Sequence, residues 1–151
     1  MSSKQLTDFI HTWSEQGDEV ADKVTYWNTL LRILGVPQEL IDNKSYIDYE
    51  KSVIVRQGKP FRGSIDAYIP STRVLIEQKS FGVDLSKSES RNNGGDNTPI
   101  TPFEQARRYD NNLAKNEKSS FIVLSNFNEI WIYDVRDSLD TKPIKLTLSE
   151  L

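Results

Sequence analysis

Three charged residues stand where charge is costly. Asp66 lies within Gly63-Ser64-Ile65-Asp66-Ala67-Tyr68-Ile69, and Glu77-Gln78-Lys79 follows directly on Val74-Leu75-Ile76. Runs this apolar read as strands, and ionised side chains set into them need an opposite charge or a metal ion. Side chains alternate faces along a strand, so Glu77 and Lys79 point one way and Gln78 the other. A turn at Pro70 and Ser71 folds the two runs into a hairpin and brings Asp66 beside Glu77. Two carboxylates and an ammonium on one face suit metal-assisted phosphodiester hydrolysis. Carboxylate oxygens hold Mg²⁺, which binds a phosphate oxygen and lowers the pKa of a water. A lysine beside them orients that water or offsets the charge that builds in the transition state. The same spacing also fits the solvent face of an ordinary hairpin carrying a Glu–Lys pair.

Composition narrows the choice of metal. The 151 residues include no cysteine and one histidine, His11, so thiolate and histidine-cluster sites are excluded. Any ion must be a hard cation held by oxygen, Mg²⁺ or in its place Mn²⁺. The net charge of -3 argues against gripping nucleic acid by overall charge, and leaves room for a local basic strip or for delivery to DNA by a partner. No apolar run has the length of a membrane span and no signal-peptide pattern opens the chain, which points to a cytoplasmic protein with no membrane partner.

The elements that must position these residues follow from periodicity and punctuation. Residues 3–16 read as a helix with Leu6, Phe9, Ile10 and Trp13 on one face. Gly17 stops it and Asp18 caps a second helix over 19–34, with Val20, Val24, Trp27, Leu31 and Leu34 as its stripe and Gly35 and Pro37 as its end. A short helical turn follows. Strands are expected at 46–56, 64–69 and 73–80, with a turn over Gln57 to Pro60. Residues 82–100, rich in Gly, Ser, Asn and Asp and holding Lys87, Arg91 and Gly94-Gly95, read as a long loop. Thr101-Pro102-Phe103-Glu104 has the form of a capping box with proline at the first helical position, opening a helix that runs to about Lys115. Strands at 120–125 and 129–135 and a short one over Ile144 to Leu148 complete a single α/β domain, a central mixed sheet flanked by helices.

Asp66, ten residues, then Glu77-Gln78-Lys79 resembles the PD-(D/E)xK nuclease signature, with Ile65 standing where that name has proline. Gln105-Ala106-Arg107-Arg108-Tyr109 is similar to the Gln-x-x-x-Tyr motif of the RecB-like branch, and residues four apart share a helix face. Trp13, Gly17-Asp18-Glu19, Tyr26-Trp27 and Leu30-Leu31 to Gly35-Val36 look like the opening of bifunctional type IIG/IIL restriction enzymes, in which a nuclease domain precedes a methyltransferase. The resemblance covers about residues 10–135.

It implies a restriction-endonuclease-like core and a Mg²⁺-dependent DNA endonuclease, with residues 1–151 as a single nuclease domain, a fragment or N-terminal module of a longer polypeptide. Asp66, Glu77 and the Gln78 carbonyl would hold the metal, with Glu19 as a further ligand. Lys79 would assist the attacking water, and Gln105 and Tyr109 would position the phosphate. DNA and a methyltransferase or specificity module are the implied partners, and double-strand cleavage would need a dimer or two events. Two alternatives stay open: a nuclease-fold module that binds DNA or a protein without cutting, and the nuclease of a type I restriction subunit or of repair. Glu19 four residues before Lys23 also fits a surface ion pair. Arg107, Arg108, Lys87 and Arg91 read as solvated charges or backbone contacts to DNA. His11 reads as helix surface, Trp13 and Trp27 as core, and Trp131 as outer face or docking surface.

Overall fold

A computed structural model describes residues 3–56, 58–89, 98–137 and 142–151. Gln57, Arg91 and Gly94-Gly95 lie outside the described residues. The elements run α1 (Ser3–Trp13), α2 (Lys23–Ile33), α3 (Gln38–Asp42), β1 (Asp48–Val55), β2 (Phe61–Ile69), β3 (Val74–Gln78), α4 (Pro102–Asn111), β4 (Phe121–Ser125), β5 (Glu129–Asp134) and β6 (Ile144–Thr147). The six strands form one sheet in chain order, antiparallel throughout except that β3 and β4 run parallel. That exception follows from α4, because a parallel neighbour needs a crossover long enough to carry the chain back. The expected mixed α/β sheet with flanking helices is the observed fold.

Each sheet face carries its own core. Phe9 and Trp13 of α1 and Tyr26, Trp27, Leu30 and Leu31 of α2 pack with Ala67, Ile69, Ile76 and Val123. On the other face Ala106 and Tyr109 of α4 pack with Val53, Val55, Ile65, Leu75 and Leu124. Within β2 the alternation breaks at Asp66. Gly63 and Ile65 lie towards α4, whereas Ala67 and Ile69 lie towards α1 and α2. The facing strand has its own irregularity there, since Glu50 takes φ +57°, a backbone conformation that L-residues adopt at a cost.

The β2–β3 ladder is short. It pairs Ile69 with Val74, Tyr68 with Leu75 and Ala67 with Ile76, and then the strands part. Asp66 and Glu77 are the next residue on each side of that fork.

Several boundaries differ from the sequence reading. The second helix begins at Lys23, not residue 19, because Asp18 caps the turn ahead of it: its carboxylate accepts the N–H groups of Val20 and Ala21 at 3.0 and 2.9 Å. The buried face of α2 is Lys23, Tyr26, Trp27, Leu30, Leu31 and Ile33, while Val20, Val24 and Leu34 are exposed. β3 ends at Gln78, one residue before Lys79. α4 ends at Asn111, where Asn112 takes the cap position and its side-chain amide donates to the Arg108 carbonyl at 2.8 Å. Trp131 is core, 7% exposed. No helix among the described residues is long and apolar enough to cross a membrane.

Candidate active site

The end of β3 is held from three directions. Trp27 of α2 donates its indole N–H to the Gln78 side-chain oxygen at 2.8 Å, and the Gln78 amide donates to the carbonyls of Lys79 and Ser125. The side chain of Gln78 is therefore fully used on the α2 face. Its main-chain N–H points into the fork and donates to Asp66 Oδ2 at 2.8 Å. A strand residue sends its N–H and C=O to the same edge, so the Gln78 carbonyl also leaves towards Asp66. Beyond the strand, Lys79 N–H donates to the Ser125 carbonyl at 2.7 Å and Phe81 N–H to the Gly17 carbonyl at 2.9 Å. Glu19 N–H donates to Ser80 Oγ at 3.0 Å. The segment after the first helix thus braces the residues around Lys79.

That segment is anchored in turn by Phe127. Its ring stacks on Trp13, Tyr26 donates its hydroxyl to the Phe127 carbonyl at 3.0 Å, and a Cβ on Gly17 would stand 2.2 Å from the ring. Three of the residues singled out near the N-terminus therefore act together: they lock one turn and, through it, the end of β3.

On the α4 face the side chains form a chain of contacts. Lys79, 1% exposed, has its ammonium 3.3 Å from Glu77 Oε1 and donates to Gln105 Oε1 at 3.5 Å. Gln105 in turn donates its amide to the Tyr109 hydroxyl at 3.1 Å. Gln105 and Tyr109 lie one turn apart on α4, whose start is fixed by the reciprocal capping box of Thr101 and Glu104. Tyr109 lies over Gly63, where a Cβ would come within 2.6 Å of its ring. The structure thus brings Glu77, Lys79, Gln105 and Tyr109 into one network.

Asp66 belongs to a second network, which the sequence reading missed. Lys23 Nζ lies 3.0 Å from Asp66 Oδ1 and also binds Glu50 Oε1, and Ser64 donates its hydroxyl to Glu50 Oε2 at 2.6 Å. Burial works against the Lys23 charge, but the hydrogen bond to Glu50 and the charge of Asp66 outweigh it and hold the ammonium above its ordinary pKa. Burial likewise works against the Glu50 carboxylate, and the bonds from Lys23 and Ser64 leave it below the ordinary range. Lys23 escaped detection because a cation on the buried face of a helix reads as polar surface until its partners, 27 and 43 residues away, are known.

Oxygen donors suited to a hard cation flank the fork: the Asp66 carboxylate paired with Lys23 of α2, the Glu77 carboxylate on the α4 side, and the Gln78 carbonyl between them. The two carboxylates therefore do not share one face as the sequence reading expects. Asp66 already binds one cation, the Lys23 ammonium. Among the described residues no three carboxylates, or carboxylates with histidine, stand together as a metal group, so Glu19 does not complete one with Asp66 and Glu77. Mg²⁺ needs no such cage, since it keeps several waters and takes one or two carboxylates. The residues present fit that ion. Arg107 and Arg108 are half-buried beside the site, and Lys87 and His11 are exposed.

No curated protein and no solved structure matches the chain. A family model does, and it agrees with the likeness to type IIG restriction enzymes that the N-terminal residues carry. That model, described as the MmeI N-terminal domain, matches residues 1–151, and the chain therefore belongs to this family of restriction–modification enzyme domains.

Proposed function

We propose that the chain is the cleavage module of a restriction–modification enzyme, a Mg²⁺-dependent DNA endonuclease. The observation that carries this reading is the chain of contacts Glu77–Lys79–Gln105–Tyr109 beside Asp66 at the β2–β3 fork. Asp66, Glu77 and the Gln78 carbonyl hold the ion, and Mn²⁺ substitutes for it. When bound, the ion polarises a phosphate oxygen and makes its water more acidic. Lys79, held by Glu77 and Gln105, orients the attacking water and offsets charge on the phosphate. Gln105 and Tyr109 bind non-bridging phosphate oxygens from the α4 side. Such a site cuts one strand, so a double-strand break takes two copies or two events. DNA and a methyltransferase or specificity module are the partners of this chemistry, and the setting is cytoplasmic.

Lys79→Ala in the polypeptide that carries the domain is expected to lower cleavage by about 10²–10⁴-fold while folding is kept. Cleavage at the parent rate by the folded variant overturns the reading. Calorimetric titration of the chain with Mn²⁺ separates it from a module that only binds DNA or protein. Metal heat that Asp66→Ala removes is expected; a binding module gives none.

A further inference from the structure

Lys23 is the charged residue whose placement the proposed chemistry leaves unused. It is the first residue of α2, it is 7% exposed, and its ammonium bridges Asp66 of β2 and Glu50 of β1. Glu50 is fixed for this contact by Ser64 and by a left-handed backbone at φ +57°. Asp66 spends one oxygen on the Gln78 N–H and the other on Lys23. Both of its oxygens therefore have partners before any divalent ion arrives.

We propose that Lys23 and Glu50 are further members of the site: Lys23 is the internal counter-cation of Asp66, which the divalent ion displaces, and Glu50 retains the released ammonium nearby. This inference rests on the metal role proposed for Asp66. Its physical basis is competition. A divalent ion on the Asp66 carboxylate and an ammonium 3.0 Å from its Oδ1 repel one another, so each cation weakens the hold of the other. In the metal-free chain the ammonium neutralises carboxylates that would otherwise repel at the fork. Metal binding is weakened by the free energy needed to separate Lys23 from Asp66. Glu50 lowers that cost, since the displaced ammonium keeps one of its two carboxylates.

The first test uses the unaltered chain. Reductive methylation with formaldehyde and cyanoborohydride as hydride donor, read by mass spectrometry, reports how accessible each lysine amine is. Methylation of Lys23 is expected to be slow in metal-free buffer and to rise severalfold with saturating Mn²⁺, while Lys79 stays protected by Glu77 and Gln105. The second test is calorimetry of Mn²⁺ binding. Lys23→Met is expected to tighten binding about tenfold or more, the scale of a close charge pair, and Lys23→Arg to keep the parent affinity. A structural role alone would not tighten a metal site. Metal heat that depends on Asp66, with Lys23 methylation unchanged by Mn²⁺, overturns the displacement and leaves the metal site standing. Absence of any Asp66-dependent metal heat overturns both.

Discussion

Gly63 is the residue on which the α4 side of the site closes. It sits beneath Tyr109, and a Cβ there would meet the ring at 2.6 Å. The ring cannot move alone, because Tyr109 accepts from Gln105 and Gln105 accepts from Lys79. Gly63→Ala is therefore expected to cost about 1–3 kcal/mol by urea denaturation, the usual scale of overpacking. It should lower cleavage further than that loss of stability accounts for, because Lys79 loses its partner's position. An unchanged denaturation midpoint would mean the ring has room that the packing denies it. Trp27 tests the opposite face. Trp27→Phe removes the N–H that satisfies the Gln78 amide oxygen, a buried acceptor, and is expected to cost about 1–3 kcal/mol.

Helix α4 carries two residues of the proposed site, and its start is legible in four letters. Thr101-x-x-Glu104 with Pro102 predicts a capping box, and both reciprocal bonds form. Thr101→Ala is expected to cost about 1 kcal/mol, seen as a lower thermal midpoint, with Gln105 in the turn that loosens. The hairpin was equally legible, since apolar runs on each side of Pro70 and Ser71 leave little choice but to pair. The sequence reading expects a mixed sheet without saying which strands run parallel, and the structure puts that pairing at β3 and β4, across the α4 crossover. Helix α2 was read less well. Asp18 is a real cap, but of a turn rather than of the helix, and the stripe read from Val20 holds at Trp27 and Leu31 while Val20, Val24 and Leu34 are exposed. Lys23 and Glu50 were not legible at all. Their pairing joins elements distant in sequence, and the break in alternation at Asp66 that turns Asp66 towards α2 has no local signature such as glycine or proline.

At the scale of the molecule, the sheet divides the work. One face, under α1 and α2, fixes the end of β3 and pairs Asp66 with Lys23; the other, under α4, carries Glu77, Lys79, Gln105 and Tyr109. The fork between β2 and β3 is where the two faces meet, which is why charges can sit there without either core being open to water. The same arrangement limits what the chain can do alone. Lys23 and Lys79 are buried and neutralised by carboxylates, so they project little field, and the net charge is -3. Affinity for duplex DNA comes largely from exposed cations that release counterions. The chain by itself is therefore expected to bind a labelled duplex no more tightly than the non-specific range, weaker than about 10⁻⁶ M at physiological salt. Fluorescence anisotropy over a salt series measures this. A nanomolar affinity with a steep salt slope would mean that the domain carries its own grip on DNA. Weak, shallow binding would agree with the proposal that DNA is brought to the fork by a partner module.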